Sequence, residues 1–406
     1  MKFLSKFFFP LLLLLASCFL LKKDKTKKQE TAAEKPILQE QTDVSPAAIP
    51  RPKKDSIGSI TISAVGDLMC HITQYTYAKT DDGKYDFNPS FAEVKNFLSE
   101  ADFAIGNLET TTAGAALGYS GYPNFNSPDE YAEALKNAGF DLLVTSNNHS
   151  MDMGEKGLLR TIEVIKKNNL SYTGTYISQR DRDSLRVYSL KGIKLALLNY
   201  TYGTNGILPS AGKEWMLNII DTALIEKDIL LARRKGAEIV LVFFHYGSEY
   251  ATEPSEAQKF IVNKTIHCGA DIILGAHTHV LQPMEFFKTK KAKLDKGFIA
   301  WSLGNFISNQ KDRYCDAGAI LSISLTKNFT KDSIWISEAS YIPTWVYRGT
   351  NPVKKKHIIF PSEYCLKDSL PAFIDDASKT LMKRAYEDAC GIITKRSAEI
   401  KIRKVL

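Results

Sequence analysis

From residue 57 to residue 306 the chain keeps returning to one pattern: a short apolar run, a turn carrying a carboxylate, amide or histidine, then a stretch of helical spacing. The apolar runs occupy residues 59–65, 101–105, 141–145, 193–198, 238–244, 271–274 and 298–301. Helical spacing occupies residues 91–98, a stretch opened by Ser127-Pro128-Asp129-Glu130 and stopped at Gly139, residues 155–168, and residues 255–268 before Gly269. Strands alternating with helices at this cadence call for a layered α/β architecture with helices on the outer faces. The runs are continuously apolar rather than alternating, so the strands are expected to be covered on both sides. A chain of 406 residues, 44% hydrophobic and 24% charged, has the apolar mass for one large core of this kind.

The two ends of the chain depart from this grammar. Lys2 and Lys6 precede an apolar run from Phe7 to Ala16 that closes on Leu15-Ala16-Ser17-Cys18, the order of a signal peptide and its small-residue processing site. The run is short for a spanning helix. Its ending resembles a bacterial lipobox, which implies that residues 1–17 are removed and that Cys18 receives lipid and holds the protein on a membrane. Residues 18–56 are rich in Lys, Glu, Gln, Thr, Ala and Pro and read as a flexible tether. The folded body is expected over residues 57–310. Residues 311–406 are expected to add strands near 319–325 and 333–347 that extend a sheet, and a pair of helices or one interrupted helix over 368–390.

Two bulk features narrow the partners. The formal charge of +8 suits an anionic polymer or lipid surface, and no arginine cluster with interleaved aromatics argues for nucleic acid. Without Cys18 the cysteines are Cys70, Cys268, Cys315, Cys365 and Cys390, an odd number with no C-x-x-C pair, so neither a redox nor a zinc-ribbon role is indicated. Cys70 and Cys268 read as small buried hydrophobes.

The polar residues with chemical potential fall directly after predicted strands: Asp67, Glu109, Asn148 with His149, His245, and His277 with His279. In α/β folds such ends converge on one cleft. Any single histidine among these reads equally well as a surface or hydrogen-bonded group, but four of the chain's seven in such turns read as a ligand set. Mixed imidazole, amide and carboxylate donors suit two divalent transition metals, manganese, iron or zinc. Two ions close together need a shared anion, for which a bridging carboxylate serves. His277 and His279, at alternate positions of an extended stretch, share a face that the Gly275-led turn can aim at the cleft.

The elements Ala64-Val65-Gly66-Asp67, Gly106-Asn107-Leu108-Glu109, Ser146-Asn147-Asn148-His149-Ser150-Met151-Asp152, Phe244-His245-Tyr246-Gly247-Ser248-Glu249-Tyr250, Gly275-Ala276-His277-Thr278-His279 and Ser302-Leu303-Gly304-Asn305-Phe306 occur in that order. Together they resemble the bacterial capsule-synthesis, poly-gamma-glutamate CapA family, a branch of the calcineurin-like metallophosphoesterases. The resemblance implies a four-layer α-β-β-α sandwich. It implies that Asp67 and His279 hold one metal, that Glu109 bridges, and that Asn148, His245 and His277 hold the other. His149 would protonate the leaving atom or steady transition-state charge. One departure stands out: the relatives' Asp-x-His is here Asp67-Leu68-Met69, and His71, two positions on, is either a replacement ligand, without which the first metal would be weakly held, or a cleft residue touching substrate.

Around this set, Glu249 reads as a general acid or base or as a solvent-facing loop carboxylate, and Tyr250 as a pocket residue. Ser302 and Asn305 read as the site floor, with Asn305 steadying a ligand loop. Asp152 either orients His149 or caps the helix that follows. The chemistry expected is metal-assisted hydrolysis or transfer at an acyl or phosphoryl centre. The resemblance implies an anionic envelope polymer such as poly-gamma-glutamate as substrate, capsule-assembly proteins as partners and an extracytoplasmic, lipid-anchored location. Two other readings are a metal-dependent phosphodiesterase and a non-catalytic polymer-binding or assembly factor.

Overall fold

Ile60, Thr61, Ile62 and Val65 give the first strand, β1 (Ile57–Leu68), its stiff, β-favouring side chains, and all but its first few residues are buried. The computed structural model describes residues 56–349 and 356–406, so the leader, Cys18 and nearly all of the tether lie outside the described residues. From β1 the chain builds β2 (Phe103–Leu108), β3 (Leu142–Val144) and β4 (Ser171–Thr173) in parallel on one side. It then crosses to a second sheet formed by β5 (Val187–Leu190), β6 (Ile193–Thr201), β7 (Ile239–His245), β8 (Ile272–Ala276), β9 (Met284–Lys288) and β10 (Lys296–Ala300). Finally β11 (Asn305–Ile307), β12 (Ala317–Asn328), β13 (Ser333–Arg348), β14 (His357–Pro361) and β15 (Lys401–Ile402) return to the first sheet. The strand orders are β14-β13-β12-β1-β2-β3-β4 and β5-β6-β7-β8-β10-β9.

The apolar faces of the two sheets meet. Ile60, Ile62, Ala64, Ile105 and Leu142 of the first share a core with Leu195, Leu197, Leu241, Phe243, Ile272 and Leu274 of the second. Side chains of this size each contribute roughly 1.5–3 kcal/mol when fully buried, so this layer is the main source of cohesion. The opposite face of the first sheet, through Ala104 and Leu143, packs on the helices Glu130–Ala138 and Gly154–Lys167. Leu198, Val240, Val242 and Ile273 on the opposite face of the second pack on the helices Thr222–Arg234 and Glu256–Cys268. The result is the α-β-β-α sandwich expected. Among the described residues no helix is long and apolar enough to cross a membrane.

Three local features differ from the sequence pattern or refine it. The helical spacing at 91–98 is realised as two short turns, Asn88–Phe91 and Lys95–Ser99, because Phe91, Val94 and Leu98 bury on one side whether or not the helix is continuous. After Pro371 a single helix, Asp376–Ile393, begins with the Asp375 carboxylate accepting the Ser378 N–H at 2.9 Å. Its Met382, Ala385, Ala389 and Ile393 join the inter-sheet core beside β12 and β13. The five described cysteines are free thiols, Cys70 buried and Cys268 half-buried.

His357 opens β14 with Nε2–H donating to Ser308 O at 2.9 Å, and burial, aided by the Arg348 charge, pushes its imidazole down to about 3. The unfolded chain takes up this proton near pH 6.5 and the folded chain does not, so the contribution to stability is complete above that pH and is lost as pH falls toward 3. His357→Gln is expected to abolish about 3 kcal/mol of the wild-type loss between neutral pH and pH 4.5. Denaturant midpoints at the two pH values read the effect, and an unchanged acid sensitivity contradicts it.

Candidate metal centre

Register decides which strand ends meet. Asp67 of β1 is level with Asn107 on β2 and with Asn305 on β11, so three polar residues form one row across the first sheet. Two close backbone approaches close this row. A Cβ on Gly66 would lie 1.9 Å from Gly304 O, and one on Gly275, ahead of the histidine turn, 2.0 Å from Trp301 O. Only glycine lets these segments pass. His245 ends β7 level with Ala276 of β8, which brings the second sheet's histidines over the same row.

Two groups of buried donors result. Glu109, His245 and His277 form one, and Asp67, Glu109 and His279 the other; within each group the ligand atoms all lie within 4.8 Å of one another. Glu109 belongs to both. Neither of its carboxylate oxygens has a hydrogen-bond partner, His245 Nε2 standing off at 3.6 Å from Oε1, and His277 Nδ1 is also buried without a partner. Native interiors rarely leave such atoms unsatisfied, and bound cations are one physical reason for it. Burial, then the Asp67 charge beside it, pushes Glu109 well above the usual carboxylate range. Burial and the neighbouring imidazoles push His245 far down, and burial and His279 push His277 to about 4. Neutral imidazoles offering lone pairs, around a carboxylate that lacks a counter-charge, fit divalent cations, and the donor set is capable of holding two.

The other half of the centre is held by an ion pair. Burial alone would raise Asp67, yet the hydrogen bond and charge of His279, with Asn107, hold it below the ordinary value. Burial opposes protonation of His279, but the hydrogen bond and charge of Asp67 raise it overall. His279 Nδ1 lies 3.1 Å from both Asp67 Oδ2 and Asn305 Oδ1. Asn305 is oriented for this because its Nδ2 donates to Gln310 Oε1 at 2.8 Å and to Cys315 O at 3.0 Å. Removing that support is expected to weaken binding of one ion by ten- to a hundredfold in Asn305→Ala, measured by competition with a metal-sensitive dye. An unchanged affinity for both ions would contradict the orienting role.

The structure distributes the expected residues unevenly. Asn148 Oδ1 lies 2.7 Å from His245 Nε2 and so adjoins the first group. His149 is buried next to it, with Nδ1 2.8 Å from Asp152 Oδ2 and its ring edge-on to Phe125, centroids 4.7 Å apart. The same Asp152 oxygen accepts the Phe125 N–H at 2.7 Å, so Asp152 ties the imidazole to a fixed backbone. Ser302 Oγ pairs with Thr278 Oγ1 at 2.9 Å beneath the histidine turn. Glu249 and Tyr250 are exposed at the mouth, outside both donor groups, although the Glu249 charge acts on Glu109 and His279. His71 is likewise outside both groups; its backbone N–H donates to Gln74 Oε1 at 2.8 Å, and its ring packs on Phe125 at 5.1 Å.

The histidine pair is not extended. His277 and His279 have φ of +94° and +59°, left-handed conformations that cost on the order of 1–3 kcal/mol for such residues. The turn sends the two rings to different donor groups, 6.0 Å apart, rather than to one face. Asp67 Oδ2, accepting the His277 N–H at 3.3 Å, helps hold this turn.

Two contributors had no assigned role in the sequence reading. Asn107 Nδ2 donates to Asp67 Oδ1 at 2.8 Å and lies 3.1 Å from His245 Nδ1, joining the two halves of the centre. Tyr202 lies over His277 with centroids 4.5 Å apart. Both stand at or just after the carboxyl end of a strand, the one signal that would have singled them out.

The model of the bacterial capsule synthesis protein PGA_cap family matches residues 61–310. The chain is 29% identical over 284 residues to the capsule biosynthesis protein CapA of Bacillus anthracis, covering 67% of this chain and 65% of that protein, just under two thirds of its length. It is 28% identical over 339 residues to the PGA biosynthesis protein CapA of Bacillus subtilis strain 168, covering 77% and 80%. A putative 5'-nucleotidase structure from Staphylococcus aureus is a more distant likeness, with TM-score 0.45, 14% identity, and coverage of 81% of this chain and 58% of that one.

Proposed function

The chain belongs to the bacterial capsule synthesis protein PGA_cap family, and on that premise we propose that it is a metal-dependent hydrolase or transferase acting on a phosphoryl or acyl centre of a cell-envelope polymer. The observation that supports the reading best is the Glu109 carboxylate without a hydrogen-bond partner, shared by the buried group of His245 and His277 and by that of Asp67 and His279.

In this proposal Asp67 and His279 hold one divalent ion, Asn148, His245 and His277 hold the other, and Glu109 serves both. Ions bound there lower the pKa of water and offset negative charge on the attacked group. His149 lies close enough for its charge to bear on His245 and His277, and it delivers a proton to the departing oxygen or nitrogen. Asp152 keeps that imidazole in one orientation. Asn107 and Asn305 fix the ligands rather than touch substrate. Under the same proposal Cys18 carries lipid, residues 18–56 form the tether, and the protein works outside the cytoplasmic membrane with capsule-assembly partners.

Metal analysis of the purified protein after reconstitution with Mn²⁺, Fe²⁺ or Zn²⁺ tests the core of the reading, followed by assay on a phosphodiester and a γ-glutamyl amide. Two tightly bound equivalents and turnover of either substrate class are expected. Failure to retain any of these metals would leave the proposal without its chemistry.

A further inference from the structure

At the end of the sandwich opposite the metal centre β1 begins, and three hairpins turn: β5 into β6, β9 into β10, and β12 into β13. The turns form one continuous surface. Phe329 of the third packs on β1 and on the first turn, so that a Cβ on Gly58 or Gly192 would lie 2.9 Å or 3.0 Å from its ring. Lys293 of the second turn pairs with Asp332 of the third at 2.7 Å.

Each turn carries lysine at its tip. Lys191, Lys290, Lys291 and Lys331 are all exposed. Lys191 and Lys291 hold φ of +47° and +52°, where Gly, Asn or Asp is the low-strain choice. The turns also have fixed backbones. Asp271 Oδ1 accepts the N–H groups of Lys293 and Leu294 at 3.2 Å and 3.1 Å, and Asn328 Oδ1 accepts those of Thr330 and Lys331 at 3.0 Å and 2.9 Å. The helix Thr222–Arg234 ends here too, just before the Glu238 N–H meets Lys194 O at 2.8 Å, and adds exposed Arg234 and Lys235. The carboxylates of this end are largely matched: Asp102 pairs with Lys191 at 2.6 Å, Glu238 with Lys327, and Asp332 with Lys293. Asp295 is a further exposed carboxylate, outnumbered by Lys290, Lys291, Lys331, Arg234 and Lys235.

The chain enters the folded body at this same surface. Ser56 O accepts the Phe329 N–H at 3.0 Å, and Ile57, the first residue of β1, is 60% exposed. Asp67 lies at the far end of that strand, roughly 33 Å away at about 3.3 Å per residue. A polymer that reacts at the metal centre is therefore remote from these lysines. Cations around an exposed aliphatic side chain, at the point where a membrane tether would join, fit a surface with phosphates outside and hydrocarbon beneath.

We propose that this lysine-tipped end docks on an anionic phospholipid bilayer, so that the metal centre faces away from the membrane and works on material tens of ångströms above it. The proposal rests on the lipid-anchored reading above only for how the protein reaches the bilayer; the docking surface does not depend on it.

The test uses the full chain, processed in a bacterial host, on vesicles of phosphatidylcholine alone or mixed with phosphatidylglycerol, with amide hydrogen exchange as the readout. Exchange in residues 289–294 and 329–332 should slow at least about threefold on the mixed vesicles and not on the neutral ones, and recover in high salt, while residues 246–250 at the metal centre stay unchanged. The triple variant Lys290→Glu, Lys291→Glu, Lys331→Glu should lose the protection, whereas Lys290→Arg, Lys291→Arg, Lys331→Arg should keep it, and both should melt with wild type. Docking is overturned if the turns exchange equally with and without mixed vesicles, if neutral vesicles protect them as well, if the Glu variant is protected like wild type, or if soluble poly-γ-glutamate protects them as strongly as the vesicles do. A wild-type chain that floats with mixed but not with neutral vesicles counts against lipid on Cys18 alone.

Discussion

Glu109→Gln should strip the protein of at least one ion and lower turnover at least a thousandfold, while making the metal-free form more stable. Glutamine keeps the shape of the side chain, so the change isolates charge. In the metal-free protein Glu109 is a buried carboxyl group with no hydrogen bond found to either oxygen, and burial and the Asp67 charge beside it push its pKa well up, so ionising it there is costly. A buried, unsatisfied group of this kind costs about 1–3 kcal/mol or more, and a neutral amide lessens that cost. The chelated variant is therefore expected to melt a few degrees above chelated wild type. With ions present the order reverses. Wild type gains RT ln(1 + [L]/Kd), about 2.7 kcal/mol at a hundredfold excess over Kd, and the variant forfeits most of it. Elemental analysis together with melting curves, with and without chelator, reads both halves. Retention of two ions by the variant would mean that Glu109 does not serve the metals at all.

His149→Ala should lower kcat by a factor of about 10² to 10⁴ with both ions still bound. The argument is geometric: the ring is buried at the centre, clamped by Asp152 at 2.8 Å and by the edge of Phe125, yet it is absent from both donor groups. In the function proposed above, a residue so placed serves proton delivery rather than ligation. Asp152→Asn should lower kcat less, by about ten- to a hundredfold, because the amide can still meet Nδ1 while the carboxylate's stabilisation of an imidazolium is gone. The loss in His149→Ala should shrink for substrates whose leaving group is a weak base and needs no proton, such as a p-nitrophenyl ester. Loss of an ion along with activity would reassign His149 to the ligand set.

Much of the centre was legible from residue order because its logic is local. An apolar run followed by a turn bearing Asp67, Glu109, Asn148 or His245 states both that a strand ends and that a donor stands at its end. What residue order does not contain is the pairing between strands that are distant along the chain. Asn107 and Asn305 became partners of Asp67 only because register sets all three in one row, across separations of 40 residues and more. Glu249 followed a ligand strand as closely as any candidate, yet its turn leaves it in solvent at the mouth.

By itself, then, the sequence determined the alternation of strands and helices, their burial on both faces and the chemical types gathered at the strand ends, since periodicity and side-chain chemistry act over a few residues. Only the tertiary structure decided that the residues beyond 310 rejoin the first sheet, with β12 lying directly against β1. It alone divided His277 from His279 between two donor groups, and set Tyr202 beside the first ring and Tyr250 near the second. The physical reason is that a hydrophobic pattern specifies which face of a strand is buried, whereas its neighbour, its register and the strained turn at its end are set by the packing of the whole chain.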